Sequence, residues 1–177
     1  MPVLRRAAAL GLLAGALLGG CTRPALSRSE YRGRMTGLCA AAQRSLAALP
    51  PPATTTQLIP RLRELRAINR RLTNRIAVLD PPLGTDRSHD AAIAIGLRAD
   101  RAVGRLTATL TRSPAPAQTL QAQRPALGAA AARDDHRWAQ LRLKTCAGGP
   151  SAALARLAAR TLPPDPRRGA ETKRRMT

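Results

Sequence analysis

The side chains in this chain that could do chemistry are three cysteines, two histidines and a surplus of arginine. A thiol can act as a nucleophile, hold a metal or form a disulfide, and its surroundings and compartment decide among these. His89 lies between Asp86 and Asp90, and His136 follows Asp134 and Asp135. These groups would form a metal site only if the starts of two helices met in space. Neither an H-E-x-x-H pattern nor a paired Cys/His spacing supports that. Acids early in a helix complement its dipole, which is the simpler reading of both clusters. Nothing matches the G-x-S-x-G turn of a hydrolase or the G-x-x-x-x-G-K-[ST] phosphate loop. The ten acidic residues lie mostly near arginines and single out no carboxylate pair for acid–base work. The chain reads as non-enzymatic, with no catalytic residue, no metal and no cofactor.

Cys21 stands apart by its setting. Arg5 and Arg6 precede an apolar run over residues 7–18, and Gly19 and Gly20 lead into Cys21. That is the layout of a secretory signal peptide, and the run is shorter than the ~20 residues a spanning helix needs. Leu18-Gly19-Gly20-Cys21 resembles the bacterial lipobox: an aliphatic residue, two small residues and a cysteine. In that chemistry the Cys21 thiol takes a diacylglyceryl group, residues 1–20 are cut away, and the new amine is acylated. Several acyl chains anchor stably where a single chain is marginal. The alternative is a plain secreted protein with a coincidental cysteine. The expected location is the extracytoplasmic face of the cell membrane, held by lipid.

Cys39 and Cys146 then remain. Outside the cytoplasm two leftover cysteines most simply pair. Such a bridge closes a loop of roughly 100 residues, and chain entropy assigns it roughly 4 to 5 kcal/mol. Two free thiols or a redox pair are the alternatives, although a redox pair usually shows C-x-x-C spacing.

The core promises to be thin. From Cys21 on, Leu, Ile and Val make up 27 of 157 residues, and the chain has no Phe, one Trp and one Tyr. That share falls below the ~20% at which a highly charged chain can lack a fold. Alanine offsets this, because it favours helix and lets helices approach closely. The full chain carries +20; losing residues 1–20 removes two arginines and leaves +18. Only Lys144 and Lys173 are lysines, an Arg-, Ala- and Pro-rich usage that suggests a GC-rich genome.

The pattern predicts helices throughout. Ser27 followed by Glu30 has capping-box spacing, and a first helix runs from about Ser29 to Leu49, with Tyr31, Met35, Leu38 and Ala42 on its apolar stripe. Cys39 lies beside that stripe. After Pro50-Pro51-Pro52, Thr54–Thr56 offer caps for a second helix. Its apolar residues Leu58, Leu62, Leu65, Ile68, Leu72, Ile76 and Leu79 keep helical spacing. A third helix starts near Thr85, with Ala92, Gly96, Ala99, Val103, Leu106 and Leu110 on one face. Its small residues would let a neighbour pack closely. For the fourth, Pro125 breaks or starts the helix, which then runs to about Leu141 with Trp138 inside. The expected architecture is all-α: a small antiparallel four-helix bundle behind a cleaved signal peptide. Its parts are the leader 1–20, a lipidated tether 21–27 and a bundle domain 28–147. A short helix or extension follows at 148–162, then a disordered basic tail at 163–177.

The lipobox, "YRGRMTGLC", "LAALPPP", a second helix ending in "LDPP" and the late "LKTCA" together resemble a loose group of small actinobacterial lipoproteins of uncharacterised function. The resemblance covers most of residues 18–147. It implies a small helical domain with one disulfide outside the cell membrane, and it carries over no catalytic residue.

The second helix carries Arg61, Arg63, Arg66, Arg70, Arg71 and Arg75 against one acid, Glu64, all off the apolar stripe. This is a candidate anion-binding face for anionic lipid or wall polymer; a solvated face produced by compositional bias is the plainer alternative. Nucleic acid is not expected, since the chain is exported and has almost no aromatic surface for stacking bases. The functional expectation is a membrane-anchored, non-enzymatic binding or structural component of the cell envelope. An envelope protein partner fits the thin core, which a partner would stabilise. A carrier of a small apolar ligand ranks last, for want of large lining residues.

Overall fold

Ser27 and Glu30 close the first helix at its start. The Ser27 hydroxyl accepts from the Glu30 amide at 3.2 Å, and the Glu30 carboxylate accepts from the Ser27 amide at 2.9 Å. This is the capping box that the spacing predicts. A computed structural model describes residues 26–161. The expected leader, Cys21 and the basic tail lie outside the described residues.

Five α helices follow, α1 (Arg28–Ala47), α2 (Thr55–Ala77), α3 (Asp86–Arg112), α4 (Pro116–Gln140) and α5 (Pro150–Arg160), with a 3₁₀ turn at Lys144–Cys146 before the last. No strand occurs among the described residues, so the chain is an all-helical bundle. In α2 the Thr54 hydroxyl accepts from the Gln57 amide, and Leu58, Leu62, Leu65, Ile68, Leu72 and Ile76 are all buried. Pro60 sits in the second turn of α2. The bond it forfeits is that of the Thr56 carbonyl, on an exposed residue where water can replace it.

The α2–α3 contact is the most extensive in the molecule. Gly96 makes it possible, because a Cβ there would overlap the Thr73 side chain. The Asn69 amide group donates to the Gly96 carbonyl at 2.9 Å across the same crossing. Ile95 joins the buried stripe of α3 beside the predicted residues.

Two expectations about the second half change. Pro125 neither breaks nor starts a helix; it lies inside α4, which begins nine residues earlier at Pro116. Leu120 and Leu127, on either side of Pro125, are both buried, so both halves of the helix are held by tertiary packing. The cost of one lost hydrogen bond falls at exposed positions. Residues 150–160, expected as a short helix or extension beyond the bundle domain, form that helix but belong to the core. α5 packs on α4, α2 and α3, and buries Ala153, Leu154, Leu157 and Ala158. α2 to α5 thus pack on one another, while α1 lies chiefly against α2 and the Cys146 turn.

α4 ends in a Schellman turn. The Leu143 amide donates to the Trp138 carbonyl at 3.0 Å, and the Arg142 amide to the Ala139 carbonyl at 2.9 Å. Arg142 takes the left-handed conformation there, with φ 58°. The turn directs the chain back to α1, where Cys146 bonds Cys39 across a sequence separation of 107. Gln43 of α1 supports the joint by donating to the Thr145 and Ala147 carbonyls.

Candidate functional site

The six arginines of α2 do not form one uniform surface. Arg61 pairs with Glu64 at 2.7 Å, one turn along. Arg66 and Arg70 both reach across to Asp100 of α3, each with Nε 2.9 Å from the same carboxylate oxygen. Hydrogen bonds from Arg66, and then from Arg70, hold the Asp100 carboxyl down at about 2, against an ordinary 3.8 and against the opposing effect of its burial. Arg63, Arg71 and Arg75 are exposed, and no described carboxylate lies within 4 Å of them. The face expected from sequence is therefore half structural clamp and half free cation.

The two histidines share no site. His89 is buried, its Nδ1 2.9 Å from the Tyr31 hydroxyl of α1. His136 is exposed and bonds Gln140 within α4. Asp86 does lie in the first turn of α3, where the dipole favours it. Asp134 and Asp135 do not: they fall near the C-terminal end of α4, where the dipole disfavours an acid. Other contacts hold them. Asp134 accepts from the Ser151 hydroxyl at 2.6 Å and lies 3.5 Å from Arg98. Asp135 accepts from the Gly148 amide at 2.7 Å. Among the described residues no group of three or more His, Cys, Asp or Glu side chains is placed to hold a metal ion.

A second basic feature was not legible in the sequence. Where α1 begins, α3 begins and α4 ends, Arg28, Tyr31, Arg32, Thr85 and Ser88 line a cleft of about 80 Å³ above Leu141 and Leu143. Burial pushes the Tyr31 phenol above its ordinary value, so it stays neutral. No described carboxylate lies within 4 Å of Arg28 or Arg32. The Thr85 hydroxyl is already committed, donating to the Pro82 carbonyl at 2.6 Å. The arrangement offers two guanidinium groups and the Ser88 hydroxyl over an apolar floor, which suits a small anionic group. The void between Asn69, Trp138 and Ser151 measures about 10 Å³, and both it and the cleft are far smaller than the ~300 Å³ or more of an ordinary ligand pocket.

Compared with known protein families, with curated proteins and with solved structures, the chain matches none of them. Among the described residues no helix is long and apolar enough to cross a membrane.

Proposed function

We propose that the chain is an extracytoplasmic bacterial lipoprotein, anchored through Cys21, whose helical domain is a non-enzymatic binding or structural component of the cell envelope. The buried Cys39–Cys146 bond carries the reading. Such bonds persist in oxidising compartments and are rare where glutathione keeps thiols reduced. This agrees with the signal layout and lipobox of residues 5–21. The resemblance to small actinobacterial lipoproteins supports the same placement.

Intact mass tests it. Protein extracted from membranes is alkylated with and without prior reduction. The expected mass is residues 21–177 plus lipid, with two thiols blocked only after reduction. A mass that retains residues 1–20, or thiols alkylated without reduction, overturns the reading.

A second reading concerns the ligand. The exposed Arg63, Arg71 and Arg75 favour an anionic partner, lipid headgroup or wall polymer, drawn in by charge. Binding of that kind weakens as salt rises. Retention on anionic polymer that ignores salt would count against it.

A further inference from the structure

We propose that the end of the bundle where the chain enters is a docking surface for an anionic phospholipid bilayer, with Leu83 as its apolar wedge and the Arg28–Arg32 cleft as the seat of a headgroup phosphate. This deepens the proposed function and rests on its placement of the chain at a membrane.

The first support is exposed apolar surface in one place. Leu83 is 88% exposed and Val78 78% exposed, and both lie in the connection between α2 and α3. The other large exposed apolar residue among those described, Leu97, is mid-α3. Leaving Leu83 in water forfeits the burial its side chain would gain at an acyl boundary.

The second support is charge. The Arg28 guanidinium reaches Gly84, next to Leu83, where an added Cβ would lie 3.9 Å from Nη2. An apolar residue flanked by cations is the pattern of surfaces that settle at the headgroup–acyl boundary. Arg28 and Arg32 lack described acidic partners, and guanidinium suits phosphate oxygens. Arg75, Arg87, Arg142 and Lys144 belong to the same end of the helices. The acids there are Asp80, Asp86, Asp90, Glu30, Asp134 and Asp135; Ser27 holds Glu30, Ser151 and Arg98 hold Asp134, and the Gly148 amide holds Asp135.

The third support is reach. Leu26 follows Cys21 by five residues, which span at most roughly 18 Å when fully extended. An anchor at Cys21 therefore holds this end of the bundle, and not the opposite end, beside the lipid.

The test uses the oxidised chain from Cys21 to Thr177 carrying Cys21→Ser, so that no lipid can attach. The described core lies within residues 31–158 and loses nothing by this change. Co-sedimentation is measured with vesicles of phosphatidylcholine alone and with about one-third phosphatidylglycerol. Binding is expected only to the anionic vesicles. Each arginine held at an anionic surface is worth about a fivefold gain, so Arg28→Gln with Arg32→Gln should weaken binding by about tenfold or more. Leu83→Asp, at a fully solvated position, should weaken it by about tenfold, while Leu83→Trp should give blue-shifted emission on binding. Arg101→Gln with Arg105→Gln removes the same charge from exposed positions in the middle of α3 and should change binding less than about threefold. No binding to anionic vesicles overturns the proposal. So does an equal loss from the two arginine pairs, or indifference to Leu83→Asp, because either means diffuse attraction by a cationic chain. Since the assay contains no anchor, its failure is separate from a failure of the mass measurement.

Discussion

The Tyr31 hydroxyl of α1 and Nδ1 of His89 in α3 are 2.9 Å apart, and both side chains are buried. The bond joins the starts of two helices 58 residues apart in sequence, and its tyrosine lines the basic cleft. Tyr31→Phe keeps the ring and leaves His89 Nδ1 without this partner. The expected loss is about 1–2 kcal/mol, the cost of stranding a buried polar group, read from urea denaturation. A variant as stable as the parent would show that this pair contributes nothing to holding α1 on α3.

Reduction should be costlier. The Cys39–Cys146 bond spans 107 residues and ties α1 to the turn before α5. Loop-closure entropy assigns it about 4–5 kcal/mol, a large share of the ~5–15 kcal/mol that holds a typical domain. The expected outcome is a much lower urea midpoint in reductant, matched by Cys39→Ala with Cys146→Ala in its absence. Hydrogen exchange should show α1 amides losing protection first, because α1 rests chiefly on α2 and that turn.

Acid stability should depend on Asp100. Its folded pKa, about 2, lies below its ordinary 3.8, so the folded state binds its proton less readily than the unfolded chain. The stabilisation is whole above about pH 4 and is lost as pH falls towards 2. Arg66 and Arg70 are 38% and 58% exposed, and screening reduces the effect to about 1 kcal/mol. Thermal unfolding from pH 6 to pH 2 should show a shallower acid decline for Asp100→Asn than for the parent. Parallel curves would remove Asp100 from the account.

Glycines at two kinds of helical position should respond with opposite sign. Gly96→Ala places a methyl group against Thr73 at the α2–α3 crossing and should destabilise by about 1–3 kcal/mol. Gly37→Ala, in α1 with open space around its Cβ, should stabilise by about 0.5–1 kcal/mol. Melting temperatures of the two variants that move in the same direction would contradict the packing at Gly96.

What could be read from the residue string was whatever depends on near neighbours in the chain. The six buried aliphatics of α2, the Ser27–Glu30 cap and the small-residue opening at Gly96 follow from helical period and local bonding alone. The cysteine pair followed by elimination once Cys21 was given a separate role. Leu120, Leu127, Ala131, Asp134 and Trp138 recur at helical spacing through Pro125, a signal that the rule about proline obscured.

Tertiary structure decided what depends on partners far along the chain. Asp100 is an ordinary acid in the sequence, yet it claims Arg66 and Arg70 from 34 and 30 residues away and so takes two of the six arginines of the α2 face. The ends of α1, α3 and α4 meet at one cleft only after the helices have packed antiparallel, which brings Arg28 and Arg32 beside Ser88. α5 entered the core because helices this poor in large side chains leave space that Leu154 and Leu157 can fill. Period and capping act within a few residues, whereas charge pairing and packing depend on distance in space, and only the folded chain sets that distance.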